Sequence, residues 1–221
     1  MADRLSDPIG RLMGLRYKSH PWHGVFIGKE APEVVTAFIE VVPSDTVKYE
    51  IDKESGYLQI DRPQKYSNVV PALYGFIPQT YCGAEVGKFC SEQSGIKDVK
   101  GDGDPCDICV LTEKDIVHGD LLVKARPIGG FRMIDKDQAD DKIIAILSND
   151  TVYGHFRDLN EVPPIVIRRL EHYFLTYKDM PGQESNTKIT HTYGAEEALE
   201  VIRRSMADYN TWFNNLVKLI L

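Results

Sequence analysis

Between residues 100 and 111 the chain reads KGDGDPCDICVL, three carboxylates within six positions followed at once by an apolar run. Asp102, Asp104 and Asp107 held that close repel one another and push each other's pKa upward unless strong positive charge sits between them. A divalent metal is the obvious candidate. Oxygen ligands suit hard cations, and carboxylates two and three residues apart on a tight turn can converge on Mg²⁺ or Mn²⁺. Gly103 permits the dihedrals such a turn needs, and Pro105 fixes φ. A Ca²⁺ loop of the EF-hand kind is the rival, with Asp102, Asp104 and Glu113 at the first, third and twelfth positions. It fails because Asp107 stands where Gly is needed, Pro105 intrudes, and the following residues read as strand rather than helix.

A second acidic set, MIDKDQADDK, places Asp135 and Asp140 around a short polar loop between two strands. Alone it would be a solvated turn. Its weight comes from Asp140 and Lys142, which share a face if the strand begins there. Cys106 and Cys109 form a CxxC, but CDICVL reads as strand, where residues three apart point to opposite faces and cannot share a metal. His20 and His23 lie in HPWHG, broken by Pro and Gly, and read as loop rather than ligand pair.

The elements that must position these groups follow from pattern. The 221 residues are 43% apolar, enough for a core and of a length for one domain, residues 1–221, with appendages. The formal charge of -7 gives no general attraction for nucleic acid or anionic membranes. The N-terminal residues carry no apolar stretch of signal-peptide or membrane length, so a cytoplasmic protein without membrane partners is expected. Residues 1–30 read as an irregular arm. Short β-type runs follow at 34–42, 47–52, 56–62, 107–112, 121–135 and 142–147, with a hairpin connection between the second and third. Such a set suggests a barrel or sandwich. Helical spacing appears in PPIVIRRLEHYFLTYK, and again after Glu196, where Leu199, Ile202, Met206, Tyr209, Phe213 and Leu216 form an apolar stripe that reads as core or subunit contact. Residues 78–101 are polar, Gly-rich and without period, and read as an inserted excursion.

With these residues in hand, the sequence resembles the family I soluble inorganic pyrophosphatases. The fingerprint of D, G, D, P, any residue, D and an apolar strand matches residues 102–110. The blocks IEVVPSDTVKYEIDKESGYLQIDR, LYGFIP, ARPIGG through DDK, and HYFLTYKDM occur in the family's order. The resemblance implies an α+β fold, mainly β, with a five-stranded closed barrel of the OB type and helices packed outside, two of them C-terminal. It implies hydrolysis of pyrophosphate to two orthophosphates by a metal-activated water without a covalent intermediate, with Mg²⁺ or another divalent such as Mn²⁺ as cofactor, in a homo-oligomer. It further implies that Asp102, Asp107 and Asp140 hold the tightest metal and that Asp104 orients or deprotonates the water. Asp135 and Glu40 would take further metals, and Glu50 would support the metal shell. Lys48, Arg62, Tyr74, Lys142, Tyr177 and Lys178 would bind phosphate oxygens.

The chemistry of the residue types agrees. Pyrophosphate is highly anionic, so a water nucleophile is repelled unless cations neutralise its oxygens. Arg62 can grip two oxygens with its planar fork, while Lys48 and Lys142 act as point charges. The alternative is a non-catalytic Ca²⁺-binding or oligonucleotide-binding barrel. The charge balance and the lack of an aromatic-basic stripe argue against nucleic acid, and the cations argue against a pure Ca²⁺ module. This chain departs from the family in VPALYG, with Val70 and Leu73 where relatives commonly carry Tyr and Asn. Val70 is therefore expected at the edge of the site and tolerant of Tyr. The segment from Glu40 to Lys48 is one residue shorter than in typical bacterial members. The excursion is longer than the compact bacterial form, and it is expected to serve the rim or a subunit contact, with residues 82–97 replaceable by a linker.

Overall fold

The computed structural model describes residues 18–65, 67–178 and 187–220, with side chains to residue 213. Strand β1 (Val35–Val41) pairs antiparallel with β4 (Leu73–Phe76), and β4 with β6 (Asp107–Leu111). Parallel pairing joins β6 to β9 (Lys142–Leu147), and antiparallel pairing joins β9 to β7 (Leu121–Asp135). The 15-residue β7 then returns to β1, which closes a ring of five strands as the OB-type reading requires. β7 can serve several neighbours because it is long and because its pairing with β9 is irregular between Pro127 and Gly129, where a bulge re-aims the strand. Its far end pairs with β10 (Thr187–Gly194) and with the two-residue β8 (Gln138–Ala139), which in turn pairs with β5 (Lys100–Gly101).

Both faces of β6 and β9 are covered, which is why they read as continuous apolar runs. Ile108, Val110, Ile143 and Ala145 belong to one buried cluster, and Cys109, Leu111, Ile144 and Ile146 to another. The first also takes Val86, Phe89 and Cys90 of helix α1 (Ala84–Ser94) and Ala198, Val201 and Ile202 of helix α3 (Ala195–Ile220). The second takes Leu170, Tyr173 and Phe174 of helix α2 (Pro164–Thr176), which starts on a proline at its first turn. Cys106 lies in the first cluster and Cys109 in the second, so the CxxC thiols do point apart, and all four cysteines are free and buried.

The structure corrects three expectations. The runs at 47–52 and 56–62 form β2 (Val47–Ile51) and β3 (Leu58–Pro63), a hairpin outside the ring, and the fifth ring strand is the short β4 inside LYGFIP. The 78–101 excursion is no irregular loop, since it carries α1 and β5; helix α1 ends at Gly95, whose φ of 72° is the left-handed stop glycine favours. Val70 is fully buried in the second cluster and does not edge the cleft. The described part of the N-terminal arm is irregular and lies over the domain, in line with the sequence: Trp22 is buried and its indole N–H donates to the Thr80 carbonyl at 2.7 Å. Residues 1–17 of that arm lie outside the described residues. No helix among the described residues is long and apolar enough to cross a membrane.

Candidate active site

The hairpin β2–β3 faces the turn before β6 and the starts of β6 and β9 across a cleft. Seven carboxylates line it, Glu40, Glu50, Asp61, Asp102, Asp104, Asp107 and Asp140, against five cations, Lys48, Lys53, Arg62, Lys142 and Lys178. Tyr74 and Tyr177 complete the polar lining. Every residue expected at the site therefore lines the cleft except Asp135, which sits at its margin and takes the Lys178 ammonium at 2.6 Å.

The carboxylate turn is held by its backbone. Gly103 adopts φ 82°, and its N–H donates to the Cys82 carbonyl at 3.0 Å, while the Cys82 N–H donates to the Asp104 carbonyl at 2.8 Å. The Asp104 N–H donates to Asp102 Oδ1 at 3.0 Å, an Asx turn that fixes the first carboxylate. Asp107 opens β6 directly opposite Lys142, which opens β9 in parallel register. The Lys142 ammonium accordingly pairs with both Asp107 and Asp140, and the Tyr74 hydroxyl donates to Asp107 Oδ2 at 2.7 Å.

Burial decides the electrostatics. Desolvation alone would lower the Lys142 ammonium; Asp107 and Asp140 beside it outweigh that and hold it well above the usual lysine range. Asp102 is pushed up to about 8, chiefly by burial and then by Asp140 and Asp107. Glu40 is also pushed up to about 8 by burial, although the Ile51 N–H donates to its Oε1 at 2.8 Å and opposes the shift. Neither Glu40 nor Asp102 is in an ion pair among the described residues.

Residues 37–210 match the family model described as inorganic pyrophosphatase. The chain belongs to the inorganic pyrophosphatase family. It is 48% identical over 200 residues to the inorganic pyrophosphatase of Chlamydia trachomatis, covering 88% of this chain and 96% of that one. It is 37% identical over 194 residues to a soluble inorganic pyrophosphatase of Oryza sativa, covering 88% of this chain and 81% of that one. The crystal structure of the Thermus thermophilus inorganic pyrophosphatase superposes with a TM-score of 0.72 at 30% identity, covering 87% of this chain and 99% of that one.

Two cleft residues of this pyrophosphatase-family chain escaped the sequence reading. Asp61 accepts from Lys48 at 2.9 Å and pairs with Arg62, so it joins the two cations. Strict alternation would turn Asp61 away from the face that carries Arg62. The pairing Lys48 with Arg62 and Tyr49 with Ile60 skips Asp61, and that bulge brings both residues to the cleft. Lys53, in the hairpin turn, pairs with Asp104; a lysine in a polar turn gives no pattern to distinguish it from a solvated one.

The donor chemistry fits a hard divalent cation. The lining is all oxygen on the acidic side and carries more carboxylates than cations. No three His, Cys, Asp or Glu side chains already converge as a ligand set among the described residues, and lysines pair with Asp104, Asp107, Asp140 and Asp135. Asp102, half-buried, and Glu40, buried, are left without a contact ion pair among the described residues, and desolvation raises the pKa of both.

Proposed function

We propose that this chain hydrolyses inorganic pyrophosphate to two orthophosphates with Mg²⁺ as its cofactor. The observation that carries the reading is one cleft in which a carboxylate excess and five cations face each other. A strongly anionic substrate and an anionic lining are compatible only through added positive charge. Asp102, Asp107 and Asp140 would hold the tightest metal, Asp135 and Glu40 further ones, with Glu50 supporting the shell through its 2.8 Å contact with Lys48. The bound cation supplies charge to the phosphate oxygens and lowers the pKa of water. Lys48, Arg62, Lys142, Tyr74, Tyr177 and Lys178 bind the substrate's oxygens and set it in line. Arg62 lies 5.8 Å from the Tyr177 ring centroid, which steadies the guanidinium plane. Asp104, half-exposed at the mouth, orients the attacking water and accepts its proton. An oligonucleotide would meet an excess of like charge in this cleft.

The proposal includes a cytoplasmic homo-oligomer, whose size light scattering checks. Orthophosphate release from pyrophosphate is to be measured with Mg²⁺, with Mn²⁺ and with EDTA. Two orthophosphates per pyrophosphate with metal, and none in EDTA, are expected. No release with any divalent metal, from protein that binds Ca²⁺ or oligonucleotide, would replace this reading with the binding-module one.

A further inference from the structure

Helix α1 is inserted immediately ahead of the carboxylate turn, and its N-terminus has no cap of its own. Gly83 occupies the cap position and carries no side chain to accept the orphan N–H groups. Asp208, buried on α3, supplies the cap from a distant element. Its carboxylate accepts from the N–H groups of Gly83, Glu85 and Val86, each at 3.0 Å. A carboxylate suits this position twice, as acceptor of three bonds and as charge at the positive end of the helix. Ser205, one turn earlier on α3, receives the Tyr81 N–H on its carbonyl at 2.9 Å.

The segment that α3 grips in this way is the one that grips the carboxylates. Cys82, between Tyr81 and Gly83, exchanges the two backbone bonds with Gly103 and Asp104. Further along, α1 lies directly on the backbone of β5: a Cβ at Gly87 would stand 2.8 Å from the Gly101 nitrogen and from the Val99 carbonyl oxygen. β5 pairs with β8, which lies in the loop between Asp135 and Asp140, and the Lys100 N–H reaches the Asp137 carbonyl at 3.3 Å. Both acidic loops are thus tied to one brace, and the brace is tied to α3 through Asp208.

We infer that Asp208 is a positioning residue which, through α1, sets the spacing of the loops carrying Asp102, Asp135 and Asp140 and so the affinity of the metal site. This rests on the proposed function for its assignment of those carboxylates to metal. Outer partners that orient metal ligands typically change metal affinity by about 10- to 100-fold when lost.

The test uses the full chain freed of metal, titrated with Mg²⁺ by calorimetry, with folding followed by circular dichroism. Asp208→Asn offers one acceptor oxygen in place of two. It should remain folded, bind Mg²⁺ about tenfold more weakly, and need correspondingly more Mg²⁺ for half-maximal pyrophosphate hydrolysis while recovering kcat at saturating metal. Gly87→Ala, which lifts α1 from β5 without touching the cap, should do the same. Glu92→Ala, on the exposed side of α1, should change nothing. Folded Asp208→Asn and Gly87→Ala proteins with wild-type Mg²⁺ affinity would overturn the inference, and so would loss of folding in both, since the brace would then serve the fold alone. A wild-type protein that binds Mg²⁺ but releases no phosphate would instead strike the proposed function and leave the metal titration able to judge Asp208.

Discussion

Glu40 offers a direct measure of what burying a carboxylate without a contact ion pair costs the folded chain. The residue is 7% exposed on β1, its pKa is raised from 4.5 to about 8 by burial, and the Ile51 N–H is its hydrogen-bond donor. Because the folded value is the higher one, the native state keeps a proton that the unfolded chain gives up. Stability from this group is therefore fully present below pH 4.5 and is lost as pH rises toward 8. The slope is roughly 1.4 kcal/mol per pH unit across that window. Glu40→Gln keeps an oxygen for the Ile51 N–H and removes the charge. In EDTA at pH 8 the variant should be more stable than wild type by about 2–4 kcal/mol, and at pH 5 the two should nearly coincide. Urea denaturation at both pH values reads this directly, and added Mg²⁺ should reverse the ranking at pH 8 by stabilising wild type more. A variant no more stable than wild type at pH 8, or a difference that ignores pH, would refute the account of Glu40 as an unneutralised buried carboxylate.

Asp107→Asn removes the carboxylate shared by Lys142 and Tyr74 and should weaken Mg²⁺ binding at least about tenfold, as should Asp102→Asn; unchanged calorimetric affinity in both would sink the metal site. Val70→Tyr, once expected to be harmless on sequence grounds, should destabilise the fold by about 1–3 kcal/mol through overpacking beside Val41, Ala72 and Cys109. A urea midpoint equal to wild type would show that the space beside Val70 can open.

What the sequence made legible is what short-range pattern encodes. The composition of the carboxylate turn is visible within its own six residues, although Cys82 helps to hold its backbone, and β6 and β9 announce themselves because both faces are buried. Four-residue β4 contains Gly75 and has no room to show a period. Helix α1 buries only Val86, Gly87, Phe89 and Cys90, so its apolar face is too narrow to read, and its cap lies more than a hundred residues away in sequence. Asp208 was hidden for the same reason: the buried face of α3 runs through Ala198, Val201, Ile202, Ser205, Asp208 and Tyr209, and a stripe traced by apolar residues alone steps over its two polar members.

The question posed by three crowded aspartates has two answers in the folded chain. Lysines answer for part of the set, with Lys53 on Asp104 and Lys142 between Asp107 and Asp140. Asp102 receives no such partner, and burial raises its pKa to about 8 beside Glu40 at the same value. On the proposed reading, a divalent cation held by Asp102, Asp107 and Asp140 would compete with the Lys142 ammonium for the last two carboxylates. Lys142 would then meet a phosphate oxygen with a charge those carboxylates no longer share, which would couple the acidic and basic halves of the proposed site.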